Sequence, residues 1–335
     1  MRERLLADLP VSERRFDVDG VDTAVLEGGD GAPVVLLHGV GSFAPEWGRV
    51  IPELARSHRV VAPDLPGLGE SSVRVGRLDV AAAVAWLQSL IAQTCAEPPM
   101  LVGHSVGGAL AAHFAIQHGD SVGRIVLVDC SSLGRFRPAP GVAMVLVRYG
   151  ARPSPASRDR FLRRVLADPE RARTEWGHRW AALEAYDLDQ ATRPSVDAAN
   201  RELVRRIGAR RIASDQLRGI NVPVALIWGR GPTGSCASGL PRRAASGSAG
   251  LSTRSTTAAT DLTSNGQRPS SRRSEPPLPP RSARDRASAM SRWVALPTRS
   301  ARAHRSRRRW FAVTRCLGAA RRDVRAASKP GRRCP

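Results

Sequence analysis

Lysine is almost absent: of the 52 basic residues only Lys329 is not arginine. That bias points to GC-rich coding DNA and carries no information about fold. Cysteine is scarce as well, five in 335 residues, with no CxxC pair and no framework spacing among positions 95, 130, 236, 316 and 334. The pattern argues against a zinc site and a disulfide-built domain, so the thiols are expected buried or free. No apolar run approaches a membrane span, and the opening Met1-Arg-Glu-Arg-Leu-Leu lacks an apolar targeting core. A cytoplasmic chain without a membrane partner is the expectation. The basic residues come with no RRM, KH, zinc or helix-turn-helix pattern, so no specific nucleic-acid partner is expected.

The charge that is present is unevenly placed. Of the formal +22, nearly all lies beyond Arg230, where 23 Lys and Arg face 4 Asp and Glu; Met1–Arg230 is close to balanced. The front of the chain carries an α/β pattern. Thr23–Leu26, Val34–Leu37, His58–Ala62, Pro99–Val102, Arg124–Asp129 and Val222–Trp228 read as short apolar strands. Glu46–Ser57 and Val80–Ala92 have helical spacing between them, as does the Ala-rich stretch running to about His118. Strands that are near-continuous apolar runs, alternating with helices, predict a doubly wound, mostly parallel sheet covered on both faces. From Gly134 to Leu217 the pattern is helical and bears Arg and Trp, without strands; an insertion of that size reads as a lid.

Leu101-Val102-Gly103-His104-Ser105-Val106-Gly107-Gly108 is the stretch that carries chemistry. A strand that reverses sharply into a helix strains the residue at its apex, and its neighbours must lack side chains so that the backbones approach. That apex is Ser105, a nucleophile candidate, and the next residue, Val106, begins a helix with an unpaired N–H facing a developing oxyanion.

Four markers occur in one order: His38-Gly39 after a strand, Asp64–Ser71, Gly103–Gly108, and Ile227-Trp228-Gly229 closing a late strand. In this order Met1–Arg230 resembles the α/β-hydrolase family, in its serine-nucleophile branch. The resemblance implies Ser105 as nucleophile and an oxyanion hole from the backbone N–H groups of Val40 and Val106. It disfavours the dehalogenase and epoxide-hydrolase branches, which carry Asp at the nucleophile position. Hydrolysis of an ester, thioester, lactone or carbon–carbon bond in a small apolar, acyl-type substrate stays open. No cofactor or metal is implied, and oligomeric state is not legible.

The resemblance breaks after Trp228. A serine hydroxyl needs a general base, and the base an orienting acid. The family places the acid in Gly-x-x-Asp after this strand and the base in a later Gly-His. Here Gly229-Arg230-Gly231 is followed by Pro232, and the one later histidine is His304, inside an arginine run. No final strand is read before it, which leaves the sheet edge open, and the base is unassigned. From Gly231 to Pro335 the composition turns to Arg, Ser, Ala, Pro, Gly and Thr, which reads as a disordered tail. The genetic code offers a cause. Read from each third codon base, Gly231–Cys236 permits Ala-Asp-Arg-Leu-Val-Arg, restoring Gly-Arg-Ala-Asp after Trp228. In the same frame a Gly-His crosses the codons of Ala258 to Thr260. The tail is therefore read as a frameshifted translation.

The remaining polar candidates read mainly as structural. His104 fills the variable elbow position, and His38 braces the oxyanion loop. His113 and His118 belong to the helix after the elbow, and Asp64 shapes its loop. Asp129, at a strand end, is a reserve acid. His178, between Trp176 and Trp180, is the histidine with a route into the pocket from above, although packing is its simpler role. Trp176, Trp180 and Tyr186 suggest an apolar pocket lining. Two other readings stand beside the hydrolase: a catalytically dead remnant, and a polyanion binder using Arg302–Arg309 with Trp310 and Phe311.

Overall fold

The computed structural model describes residues 1–74, 78–134, 140–229 and 251–256, with Pro140 and 251–256 described in backbone only. The chain divides into two compact units, Met1–Arg268 and Pro269–Pro335, and every described residue lies in the first. Its elements begin with α1 (Arg2–Leu6), β1 (Ser12–Val18), β2 (Val21–Gly28) and β3 (Ala32–Leu37). A 3-10 turn, Ala44–Arg49, leads to α2 (Ile51–Leu54), β4 (His58–Pro63), β5 (Ser72–Val73) and α3 (Val80–Thr94). Then come β6 (Met100–His104), α4 (Val106–Gln117) and β7 (Arg124–Val128). A helical run follows: α5 (Pro140–Ala151), α6 (Pro155–Val165), α7 (Pro169–Trp176), α8 (Trp180–Thr192), α9 (Pro194–Leu203), a π-turn at Val204–Gly208, and α10 (Ser214–Arg218). β8 (Val224–Gly229) and β9 (Leu251–Thr256) close the described chain.

The sheet runs β1-β2-β4-β3-β6-β7-β8-β9, with β5 paired to β2. Pairing is antiparallel at β1–β2 and β2–β4, and parallel from β4 through β9. The predicted mostly parallel sheet is observed. β3 shows why its strands were legible: Val34, Val35, Leu36 and Leu37 are fully buried on both faces, so the whole run is apolar. α3 and α4 pack on this sheet around Trp86, Leu87, Leu90 and Phe114. Trp86 Nε1 donates to Thr23 Oγ1 at 3.0 Å, which satisfies both groups inside the core.

Three expectations change. The predicted helix Glu46–Ser57 is a 3-10 turn followed by the single turn α2, because Pro45 and Pro52 each start a first turn and interrupt the hydrogen-bond ladder. α1 and β1 add to the sequence reading. β1 is a charged edge strand, mostly exposed, without the apolar alternation that marks a half-buried strand. The expected open edge beyond β8 is occupied: β9 pairs in parallel with it from Val224↔Leu251 to Gly229↔Thr256. At 251–256 the tail is therefore extended sheet instead of disordered chain. Among the described residues no helix is long and apolar enough to cross a membrane.

Candidate active site

Parallel strands end on one edge of a sheet, so the C-terminal ends of β3, β6, β7, β8 and β9 lie in a row, where ligands of open α/β sheets bind. Ser105 stands between β6 and α4 at φ 51°, ψ −113°, a strained conformation for a residue with a side chain. A serine at a helix N-cap ordinarily spends its hydroxyl on a helix N–H. Ser105 makes no such side-chain cap, and its side chain is half-buried. The elbow is held by Ser105 N–H donating to Val128 O at 2.9 Å. The flanking glycines are required by contact: a Cβ on Gly107 would meet Leu37 O and, at 2.5 Å, His38 O, and one on Gly103 would meet the Gly107 backbone.

The loop leaving β3 lies against the elbow. His38, 1 % exposed, accepts from Leu65 N–H through Nε2 at 2.9 Å, so its Nδ1 carries the proton and donates to Gly39 O at 2.7 Å. Both ring nitrogens are committed, and burial lowers the His38 pKa against the opposing pull of Asp64. The ring braces the loop, as read from the sequence. Gly39 packs directly on the elbow, where a Cβ would lie 3.2 Å from Ser105 Cβ. Neither Val40 N–H nor Val106 N–H donates to another described residue. Two free donors beside a free hydroxyl, at a helix N-terminus, suit a developing negative oxygen.

Asp64 is fully buried and structural: it accepts from Ala44 N–H at 2.6 Å and Glu70 N–H at 3.0 Å and pairs with Arg2 at 2.9 Å. Asp129 follows β7 at φ 44° and accepts from Gly229 N–H at 2.9 Å, so it joins the ends of β7 and β8. His104 packs against Gly39, and its pKa is lowered by burial while the Asp129 charge opposes the shift. His113 belongs to α4 with its Nε2 buried, and His118 lies with its ring 5.1 Å from that of Phe114. His178 points elsewhere: largely exposed, it pairs with Asp8 at 2.8 Å instead of entering a pocket. Among the described residues no imidazole hydrogen-bonds Ser105 Oγ. The acid and base of the shifted frame, at 232–233 and 258–260, lie outside the described residues, as does the basic run with Trp310 and Phe311.

The inserted aromatics have another use than the one expected. Trp176 and Tyr186 pack with Leu5, Phe43 and Leu183 in a separate apolar cluster, against which Trp180 also rests. Phe43 and Tyr186 meet edge to face at 4.6 Å. These rings clamp the insertion to the N-terminal segment, since α1 brings Leu5 to them. Sequence reading missed several contacts near the site. Asn200 Oδ1 accepts from Gly41 N–H at 2.7 Å, and Ser132 Oγ donates to Ile207 O at 3.0 Å. Ser42 Oγ donates to Glu46. Solvent reaches Glu46, yet surrounding protein pushes its carboxyl up to about 7, with Asp187 acting in the same direction. These partners are 75 or more residues apart for the first two, and no local spacing signals them.

Comparison with known proteins agrees with this fold. The soluble epoxide hydrolase of Corynebacterium sp. (strain C12) is 34% identical over 119 residues, 36% of this chain and 42% of that protein. The 2-hydroxy-6-oxo-2,4-heptadienoate hydrolase of Pseudomonas putida is 39% identical over 113 residues, 32% of this chain and 41% of its own length. The chain thus spans about two-fifths of these curated relatives. The 2-hydroxy-6-oxo-6-phenylhexa-2,4-dienoate hydrolase of Rhodococcus sp. strain RHA1 superposes with a TM-score of 0.62 at 22% identity, covering 73% of this chain and 90% of that one, which shows the shared fold. A family model described as alpha/beta hydrolase fold matches residues 32–230, more than half of the sequence. The chain belongs to the alpha/beta hydrolase fold family.

Proposed function

We propose that this chain is a serine hydrolase of small apolar substrates, cleaving an ester, thioester, lactone or carbon–carbon bond with Ser105 as nucleophile. The observation that carries the reading is the strained Ser105 backbone, whose side chain makes no cap bond while the Val40 and Val106 N–H groups donate to no described residue. Ser105 Oγ attacks a carbonyl carbon, the carbonyl oxygen becomes an oxyanion, and the Val40 and Val106 N–H groups receive it. The names of the relatives above, hydrolases of dienoates and of epoxides, support a small organic substrate. Ser105, where the epoxide-hydrolase branch carries Asp, favours acyl chemistry. Residues 134–217 act as the lid, with the π-turn resting on the elbow.

The hydroxyl still needs a base. In this reading the acid and base are encoded after β8 and β9 in the shifted frame. β8 and β9 end at Gly229 and Thr256 on the edge that carries Ser105. In the shifted frame the Asp codon comes just after that of Gly229, the end of β8, which is where a triad needs its acid. Asp129, which follows β7 and accepts from Gly229 N–H, is the reserve acid. Resequencing the DNA around the codons for Trp228–Pro232 tests the frame; an intact frame, with peptides recovered from 240–335, overturns it.

For the chain as printed, labelling by a fluorophosphonate and turnover of p-nitrophenyl acetate test the nucleophile, with Ser105→Ala as control. Labelling confined to Ser105 supports the hydrolase. Turnover is expected several orders of magnitude below a complete triad, with residual help from the oxyanion hole. Absence of both labelling and turnover favours a catalytically dead remnant, which the lack of any described imidazole on Ser105 Oγ would explain.

A further inference from the structure

We propose that Asn200, in the helical insertion, is a positioning residue for the oxyanion hole; the inference rests on the assignment of Ser105 as nucleophile. The donor at Val40 lies in a loop whose backbone is pinned on both sides. On one side His38 Nδ1 holds Gly39 O. On the other, Asn200 Oδ1 accepts from Gly41 N–H at 2.7 Å. Gly41 has φ +67°, is exposed, and its Cβ position faces open space, so no side chain of its own anchors it. The Asn200 amide holds the peptide next to Val40, while Val40 N–H itself donates to no described residue.

The same short stretch of the insertion also reaches the second donor. α9 ends at Leu203 and continues into the π-turn Val204–Gly208, a helical irregularity that tends to occur at functional sites. Its end lies on the elbow: a Cβ on Gly208 would stand 2.6 Å from Val106 Cγ2. Ser132 Oγ, just beyond Asp129, donates to Ile207 O at 3.0 Å and to Gly208 O at 3.3 Å. Asn200 through Gly208 therefore touches the loop of one oxyanion donor and the residue that carries the other. A donor placed for an oxyanion acts only at the distance the oxyanion will occupy, so what fixes that distance controls the reaction step more than binding.

The test uses the full chain and a fluorophosphonate, whose phosphoryl oxygen occupies the oxyanion hole as Ser105 is modified. The first-order inactivation constant and the inhibitor affinity are measured separately. Asn200→Ala removes the acceptor and is expected to lower the inactivation constant about three- to tenfold, with affinity within about twofold of the parent. Asn200→Asp keeps an oxygen at the same reach and is expected to restore the parental rate. Amide exchange in the peptide spanning 38–43 is expected to quicken in Asn200→Ala and not in Asn200→Asp. Should the alanine variant fail to fold, Asn200→Ser, too short to reach Gly41, takes its place. A labelled parent with an equally fast Asn200→Ala overturns the inference alone, as does a loss confined to affinity or shared by Asn200→Asp. A parent that is not labelled is the catalytically dead remnant, and it overturns this inference along with Ser105 as a working nucleophile.

Discussion

The elbow depends on two backbones approaching where no side chain fits, and Gly107→Ala measures how tightly. The added Cβ would meet Leu37 O and lie 2.5 Å from His38 O, where ordinary contact starts at 3.4 Å. The end of β3 and the first turn of α4 would have to separate by about 0.9 Å, and both are backbone in a close-packed core. Overpacking of this kind costs about 3 kcal/mol at its upper range. In a domain of this size that lowers Tm by about 6–12 °C. The same shift moves Ser105 from the loop after β3, and with Ser105 as the proposed nucleophile a displacement near 1 Å lowers reactivity about a hundredfold. Thermal melts and fluorophosphonate labelling read the two effects. Gly108→Ala is expected to fall between, since its Cβ would stand 2.9 Å from Gly103 O and 3.1 Å from Cys130 Cβ. Gly150→Ala, with nothing within 4 Å inside α5, is the control and is expected to stabilise by about 0.5–1 kcal/mol. A Gly107→Ala protein that melts within 2 °C of the parent (roughly the shift from 0.5–1 kcal/mol) and labels equally fast would refute the close-approach argument.

Other perturbations follow from the same contacts. The His38 pKa is lowered in the folded chain, so below its ordinary value near 6.5 the unfolded chain takes up the proton first. His38 therefore stabilises fully above about pH 6.5, and this contribution is lost as pH falls toward its folded value. His38→Gln should flatten the fall of Tm between about pH 7 and 5; an equally steep profile counts against it. Arg158, 4 % exposed, bonds Asp187 at 2.5 Å. Arg158→Met leaves the part-buried Asp187 carboxylate without its ion-pair partner, an expected loss of about 1.5–3 kcal/mol in urea unfolding that Asp187→Leu in the same chain largely returns. Without that recovery the pair is not the source of the loss. Asp129→Asn keeps an acceptor for Gly229 N–H and should hold stability within about 0.5 kcal/mol, whereas Asp129→Ala should cost about 1–2 kcal/mol in the same assay. Equal losses in both would place the effect outside that hydrogen bond.

The parallel strands were legible because burial on both faces writes them as unbroken apolar runs, as in Val34–Leu37. β1 was not, since an exposed edge strand carries charge instead of alternation. β9 was not either, because its residues lie in a stretch whose composition reads as tail; its strand is defined by pairing with β8. The helix expected at Glu46–Ser57 failed on Pro45 and Pro52, residues visible in the sequence whose ladder-breaking effect outweighed the apolar spacing.

The site divides in the same way. The sequence by itself determined the nucleophile candidate, because the glycines at 103 and 107 and the strand before Ser105 are local requirements of a sharp turn. It also determined the loop at His38-Gly39 and the family to which they point. Tertiary structure alone decided that His38 has both nitrogens engaged, that His178 faces Asp8, and that Trp176 and Tyr186 are consumed in packing. It alone joined Asp129 to Gly229 and Asn200 to Gly41. Those contacts span 100 and 159 residues, and a hydrogen bond between such distant groups is fixed by how sheet and insertion dock, which no local spacing records.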